Sequence, residues 1–180
     1  MIRLITVFSI VLCVLGCKSP EARKPVSVKT GSFISASVER NKKRYAQEKA
    51  QIETLMQEKD SVNFITSANG FWYYYNIKTD TLNTITAKFG DVVNYNYNVK
   101  HLNGSVIYSK TELKTQNYVM DKQLLFTGLR EGLKILKSGE TATFIFPSQK
   151  AYGYYGDENK IGTNTPIMCE VTVNKITQTQ

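Results

Sequence analysis

The segment Phe146–Gly156, FPSQKAYGYYG, holds the side chains most suggestive of a chemical site. It contains three tyrosines and two glycines, and Lys150 is its only charged residue. Loops usually expose polar side chains, so this much aromatic surface needs a reason. Tyrosines can line an apolar pocket while a hydroxyl donates a hydrogen bond inside it.

The remaining sequence offers no familiar acid–base or metal constellation. His101 is the only histidine, and no Cys-x-x-Cys pair accompanies it. Ser148 has no partner base, and Gly153-x-x-Gly156 lacks the lysine and helix of a phosphate-binding loop. We therefore expect no metal and no cofactor. The inventory favours a binding module or an enzyme without acid–base chemistry.

Prolyl isomerisation is a reaction that such an inventory can serve. It breaks no covalent bond, and its barrier of about 18–20 kcal/mol comes from amide resonance. The twisted amide has less charge separation than the planar one. A dry aromatic pocket with one hydrogen-bond donor therefore favours the twisted form.

Period-two patterns from Gly70 onward predict an α+β domain, an antiparallel sheet crossed by one short helix. The predicted strands are Phe71–Ile77, Val93–Val99, Ser105–Ser109, Tyr118–Met120, Thr141–Phe146 and Ile167–Ile176. Asn103-Gly104 predicts a two-residue hairpin turn. The helical repeat consists of Phe126, Leu129, Leu133 and Leu136. Gly128 and Gly132 inside that helix predict that it lies very close to the sheet.

An earlier helix is predicted over Ser37–Asp60, with Ser37 as its N-cap. Its narrow apolar stripe consists of Val38, Tyr45, Ile52, Leu55 and Met56. The first spacings of the stripe suit a coiled-coil seam, but Asn41 and Glu48 at the companion positions are polar. The alternatives are a homodimer through this helix, docking on the chain's own domain, or a solvated stalk.

The N-terminus resembles a bacterial lipoprotein signal, because an apolar run ends at Gly16-Cys17. The resemblance implies cleavage after Gly16 and lipidation of Cys17. An ordinary secretory signal or an anchor helix is the alternative. Only Cys169 then remains, so no internal disulfide is expected. The predicted divisions are a signal at 1–16, a tether at 17–36, a helical spacer at 37–68 and a domain at 69–177.

The formal charge of +8 falls to +7 once Arg3 leaves with the signal. Export and the lack of a basic stripe among the aromatics argue against nucleic acid as a partner. We expect a location in the cell envelope, lipid-anchored on the periplasmic side of either membrane rather than at the cell surface.

Four short motifs stand in the order and spacing of FKBP-type peptidyl-prolyl isomerases. They are Val119-Met120-Asp121-Lys122-Gln123, Phe126-Thr127-Gly128-Leu129-Arg130-Glu131-Gly132-Leu133, Ser138-Gly139-Glu140 and Ala151-Tyr152-Gly153. The chain from about Gly90 to the last strand resembles this family. The lipid signal, the helical spacer and the tyrosine-rich first strand resemble the gliding-motility-associated isomerase lipoproteins of flavobacteria.

The resemblance implies a sheet wrapped around a short helix, with a pocket between them. It assigns catalytic positions to Tyr152, whose hydroxyl donates to the substrate carbonyl, and to Tyr97 on the pocket wall. The substrate-binding positions that it implies are Ile107, Tyr108, Leu125, Phe126, Leu129, Tyr155, Ile161 and Cys169. Leu125 and Phe126 match the pair before the helix, whose first backbone amide donates to bound ligand.

Several positions depart from the family pattern. Leu129 replaces the usual tryptophan floor, and Cys169 replaces a phenylalanine. Ile107-Tyr108 replaces a Phe-Asp pair, so a carboxylate is expected to be missing. The resemblance implies an isomerase that assists folding of proline-containing envelope proteins, with activity weakened by these changes. The alternative is a catalytically weak chaperone or assembly module of the same fold.

Overall fold

The computed structural model describes residues 30–79 and 85–179, with side chains from residue 33 onward. By its internal contacts the chain divides between Ser37 and Val38, and the domain is the part from Val38 onward. The helices are α1 (Thr30–Gln57), α2 (Lys110–Leu113) and α3 (Thr127–Leu133). The strands are β1 (Ile65–Thr66), β2 (Trp72–Ile77), β3 (Val92–Tyr97), β4 (Val99–Lys100), β5 (Val106–Tyr108), β6 (Gln116–Val119), β7 (Thr141–Phe146) and β8 (Ile167–Thr177).

The strands form one antiparallel sheet in the order β1-β2-β7-β8-β3-β6, and β4 pairs with both β5 and β8. Strand β7 lies between β2 and β8, with Phe144 opposite Tyr73 on one side and Cys169 on the other. Every residue of β7 is buried. Because alternate side chains of a strand face opposite sides, both faces of the sheet are covered at this strand.

The inner face of the sheet packs on α3. Phe144 and Phe146 of β7 stack with ring centroids 5.6 Å apart, and Phe71 meets both rings edge to face. A Cβ placed on Gly128 would lie 2.5 Å from Phe146 Cδ1, and one on Gly132 would lie 3.1 Å from Phe144 Cε1. The predicted close approach of helix and sheet is therefore confirmed, and it explains two glycines in a helix.

The outer face of the sheet is covered by α1. Ile52 is fully buried in a cluster with Trp72, Ile145 and Met168, and Leu55 packs against the same cluster. Ile145 and Met168 alternate along their strands with the inner residues. Of the alternatives for the first helix, docking on the chain's own domain is the one observed.

Helix α1 begins at Thr30 and not at Ser37, so the predicted N-cap is wrong. No proline separates Thr30 from Gln57, and nothing else there breaks the helix. The helix ends at Gln57, before the predicted Asp60. The signal, Cys17 and most of the tether lie outside the described residues. Within residues 30–79 and 85–179 no helix combines the length and apolarity needed to span a membrane.

The hairpin turn between β4 and β5 is longer than predicted. His101 N–H donates to the Ser105 carbonyl at 2.9 Å, which leaves three residues in the loop. Asn103 Oδ1 accepts from the Ser105 backbone N–H at 3.0 Å, and Gly104 has φ +88°. The asparagine side chain therefore closes the turn in place of a two-residue backbone turn.

Candidate active site

The loop between β7 and β8 follows a backbone path that its glycines permit. It opens with a 3₁₀ turn at Ser148–Lys150. Gly153 and Gly156 both have positive φ, +63° and +72°. A Cβ on Gly156 would lie 2.2 Å from the Ile161 carbonyl oxygen, so no larger residue fits there.

Asp157 closes the second half of this loop. Its Oδ1 accepts from the backbone N–H of Ile161 at 2.7 Å and of Asn159 at 3.0 Å. Its own N–H donates to the Ile161 carbonyl at 3.1 Å. Its Oδ2 accepts a hydrogen bond from the hydroxyl of Tyr108, at the end of β5. One carboxylate thus shapes the loop and ties it to the sheet.

The pKa values of this pair follow from the same contacts. Burial alone raises the pKa of Asp157, but the bonds from Tyr108 and from backbone N–H groups outweigh burial and hold it below its usual value. The bond to Asp157 raises the pKa of the Tyr108 phenol. A charged acceptor and a protonated donor therefore persist together at neutral pH.

Tyr152 lies in the first half of the loop and packs against the chain segment before α3. Its ring centroid is 5.0 Å from that of Phe126, at an interplanar angle of 41°. Burial raises the pKa of the Tyr152 phenol, and the neighbouring Tyr97, Cys169 and Asp157 raise it further. The hydroxyl is therefore a hydrogen-bond donor throughout the physiological range.

Most predicted site residues belong to one apolar cluster. Its buried members include Tyr97, Ile107, Leu129, Ile161 and Cys169, and Tyr108, Leu125, Phe126 and Tyr152 pack against it. Burial raises the pKa of the Tyr97 phenol to about 12, with further contributions from Cys169 and Tyr108. Burial also raises the pKa of the Cys169 thiol, so it stays protonated.

Tyr155 is the predicted site residue that stands apart from this cluster. It is 79% exposed, and its neighbour Tyr154 is 68% exposed. Their rings meet edge to face with centroids 5.3 Å apart. The two rings form an outward-facing aromatic pair at the tip of the loop that carries Tyr152.

Charged residues join the rim of the loop to α2. Lys160 Nζ lies 4.7 Å from the ring centroid of Tyr108 and forms an ion pair with Glu112. This bond lowers the pKa of Glu112. Both groups are exposed, so the ion pair between the loop and α2 contributes little stability.

Asp157 is the site residue that the sequence did not predict. The carboxylate expected to be missing beside Ile107 enters from the opposite loop and bonds to Tyr108. The dipeptide Gly156-Asp157 signals a turn. Spacing alone gives no sign that the Asp157 side chain reaches a residue 49 positions earlier in the chain.

The chemistry available here needs no proton transfer. Tyr152 supplies a protonated donor, and Phe126, Leu129 and Tyr97 supply an apolar, aromatic surround. Among the described residues no group of three or more His, Cys, Asp or Glu side chains is placed to hold a metal ion. A site of this composition can stabilise a neutral, twisted amide relative to a planar, hydrated one.

A protein-family model matches residues 83–174. The matching family is described as FKBP-type peptidyl-prolyl cis-trans isomerase. The match covers 92 of the 180 residues, just over half of the chain.

Two curated relatives illustrate the likeness in sequence. Peptidyl-prolyl cis-trans isomerase FKBP9 of Homo sapiens is 28% identical over 89 residues, which are 49% of this chain and 16% of that protein. The probable FKBP-type peptidyl-prolyl cis-trans isomerase FkpA of Neisseria meningitidis serogroup B is 30% identical over 86 residues, 48% of this chain and 31% of that protein. The match therefore spans less than a third of either relative.

Two crystal structures share the fold. FkpA from Escherichia coli superposes with a TM-score of 0.60 at 21% identity, covering 96% of this chain and 81% of that chain. A peptidyl-prolyl cis-trans isomerase from Pseudomonas syringae pv. tomato gives a TM-score of 0.59 at 20% identity, covering 74% of this chain and 95% of that chain. The predicted fold, a helix followed by an antiparallel sheet around a short helix, is confirmed.

Proposed function

Because the chain belongs to the FKBP-type peptidyl-prolyl cis-trans isomerase family, we propose that it accelerates the rotation of Xaa-Pro bonds at the cluster around Tyr152. One observation carries this proposal: Tyr152 packs against the apolar cluster that contains Tyr97, with its ring centroid 5.0 Å from that of Phe126, and so brings a hydroxyl donor to an apolar surround. Family membership supports the reaction type, and these contacts support its place in the fold.

The physical basis is a difference in solvation between the two forms of the amide. The planar amide is polar and hydrogen-bonded to water, whereas the twisted amide has lost its resonance. Rings from Phe126 and Tyr97 exclude water, which disfavours the planar form. The Tyr152 hydroxyl then donates to the carbonyl of the bound peptide, as the family resemblance implies for this position.

Assay of the full chain with a series of Xaa-Pro peptides tests the proposal. Loss of one hydrogen bond in Tyr152→Phe is expected to lower kcat/KM by about fivefold, since such a bond contributes about 1 kcal/mol. Tyr74→Phe is the matched control, because Tyr74 contacts Phe64 on the outer side of β2. Equal rates for the wild type and Tyr152→Phe would refute the role of the hydroxyl.

The setting that we propose is the cell envelope. The lipoprotein-like sequence ending at Cys17 supports a lipid-anchored protein that assists folding of proline-containing envelope proteins. Resemblance to the flavobacterial lipoproteins supports gliding-motility proteins among its substrates. Metabolic labelling with a fatty-acid analogue tests the anchor. Label retained in Cys17→Ser would contradict it.

A second candidate is a binding module with little turnover. The exposed pair Tyr154 and Tyr155 favours it, because aromatic rings beside a proline pocket bind extended segments without any need for rotation. This candidate would be favoured if the protein bound a proline-containing unfolded chain tightly but left the rate of Xaa-Pro isomerisation at its uncatalysed value. A homodimer through α1 stays a prediction; since Ile52 packs on the chain's own sheet, such a dimer would have to use another face of the helix.

A further inference from the structure

Helix α1 makes a buried polar contact with the start of the loop that carries Tyr152. Glu48 is 5% exposed. Its Oε2 accepts the backbone N–H of Ser148 at 2.8 Å, and its Oε1 accepts the Ser148 hydroxyl at 2.7 Å. A buried carboxylate carries a desolvation cost, and two donors from a single residue offset that cost.

Ser148 is also hydrogen-bonded to both neighbours of Tyr152. Its carbonyl accepts from the N–H of Ala151 at 3.0 Å and from the N–H of Gly153 at 2.9 Å. The residues before and after Tyr152 are therefore bonded to one residue, which Glu48 in turn holds. The position of the helix thus bears on the position of Tyr152.

A second contact from the same helix reaches the far end of the loop. Arg44 lies one turn before Glu48, and its Nη1 donates to Asn164 Oδ1 at 3.0 Å. The N–H of Asn164 donates to the Gly153 carbonyl at 2.8 Å. The two routes from α1 therefore meet at Gly153, directly after Tyr152.

Apolar docking does not require these polar contacts. Ile52, Leu55 and Met56 already hold α1 on the outer face, whereas Glu48 and Arg44 reach the two ends of one loop. Arg44 also donates to Asn41 within its own helix, at 3.4 Å. We propose that Glu48 and Arg44 are positioning residues of the active site, which set the backbone around Tyr152 from the opposite side of the sheet. This inference rests on the proposed isomerase function.

Two single variants of the full chain test the inference. Glu48→Gln keeps the shape but replaces one acceptor oxygen with an NH₂ group, and Arg44→Ala removes the donor to Asn164. Each is expected to lower kcat by about tenfold to a hundredfold with little change in KM, since a displacement of about 1 Å costs up to a hundredfold. The matched controls are Glu53→Gln and Lys43→Ala, at exposed positions of the same helix.

Amide hydrogen exchange separates positioning from a purely structural role. The inference predicts faster exchange at Gly153 and Asn164 in both variants, with the strands of the sheet as protected as in the wild type. Uniformly faster exchange, or wild-type kinetics in both variants, would overturn it. Slower turnover with unchanged exchange in the loop would overturn it as well.

The two proposals fail in distinguishable ways. Absence of turnover in the wild type refutes the isomerase function, while exchange at Gly153 still shows whether α1 sets the loop. If Glu48→Gln does not fold, Arg44→Ala decides the question, because its contact is only partly buried.

Discussion

Helices α1 and α3 cover opposite faces of one sheet in different ways. The seven residues of α3 bury Gly128, Leu129, Gly132 and Leu133. Helix α1 has 28 residues, and among its described side chains only those of Glu48 and Ile52 are buried. A short helix can therefore be integral to a core, while a helix four times as long is an attachment held at a few points.

This difference implies that α3 is needed for the sheet to fold, whereas α1 acts mainly on the position of one loop. Helix α3 is set by close backbone approach, so it cannot move without disturbing β7. Helix α1 is set by a small apolar cluster and by hydrogen bonds to one loop. We expect its docking to respond to single substitutions that leave the sheet intact.

Truncating one side chain on each face gives the largest expected effect. Leu133→Ala should lower the free energy of unfolding by about 2–5 kcal/mol, since Leu133 is fully buried in the large inner cluster. Ile52→Ala should lie at the low end of the same range, about 2 kcal/mol, because the attached helix can shift to fill the space. Urea denaturation gives both values.

The single tryptophan makes the comparison sharper. Trp72 lies in the outer cluster with Ile52. Its fluorescence should shift to longer wavelength in native Ile52→Ala and stay unchanged in native Leu133→Ala. A larger loss of stability in Ile52→Ala than in Leu133→Ala would show that α1 is as integral as α3.

Alkaline pH should lower the free energy of unfolding through Tyr97, which is buried in the apolar cluster on the inner face of the sheet. Burial raises the pKa of Tyr97 to about 12, from its usual value of 10.0. The folded state favours the protonated phenol more than the unfolded state does. The stability that Tyr97 contributes in this way is fully present below pH 10 and is lost as pH rises through 12. The expected loss from Tyr97 is about 2–3 kcal/mol.

The matched variant for this prediction is Tyr97→Phe. It cannot ionise, so its stability should fall less between pH 10 and pH 12, measured by urea denaturation at each pH. Equal slopes for the variant and the wild type would show that Tyr97 does not titrate with folding.

Adding a methyl group to the α3 glycines gives the smallest expected effect. In Gly128→Ala the new Cβ would also lie 2.7 Å from the Lys150 carbonyl oxygen, which is backbone and cannot rotate away. The cost of overpacking exceeds the gain in helix propensity. We therefore expect the free energy of unfolding of Gly128→Ala, measured by urea denaturation, to fall by about 1–2 kcal/mol.

Gly132→Ala serves as the control for Gly128→Ala. Its Cβ meets the ring of Phe144 at 3.1 Å, so the ring gives slightly and helix propensity offsets most of the cost. We expect the free energy of unfolding of Gly132→Ala, measured by thermal or urea denaturation, to differ from that of the wild type by no more than about 1 kcal/mol. Similar losses in both variants would mean that the two glycines are equally close-packed.

The inner half of the molecule was predictable because its signals are local. Alternation along β3 and β7 sets which side chains face inward, and Gly128 and Gly132 mark the close helix. Family motifs then place Tyr152, Tyr97 and the apolar positions around them. The structure gathers most of these residues into one cluster, and Tyr155 stands outside it.

The polar contacts of Glu48 and Asp157 were not predictable from the sequence. Each joins residues far apart in the chain, and it depends on which way the side chain points in the folded protein. Glu48 looked like a polar break in a coiled-coil stripe, yet it bonds to Ser148, 100 positions later. Asp157 restores a carboxylate that the motif comparison counted as lost. Neither spacing nor composition reveals which way a carboxylate points once the chain has folded.

The loop that carries Tyr152 is divided into a frame and a tip. Asp157 fixes the frame through hydrogen bonds to the backbone, and Gly156 permits its close approach to Ile161, whereas Tyr154 and Tyr155 are exposed to solvent. Random mutagenesis of positions 154 and 155 would therefore sample new surface chemistry on an unchanged backbone. Substitutions at these two positions should therefore change the exposed surface of the loop one residue at a time, at little cost to the stability of the fold.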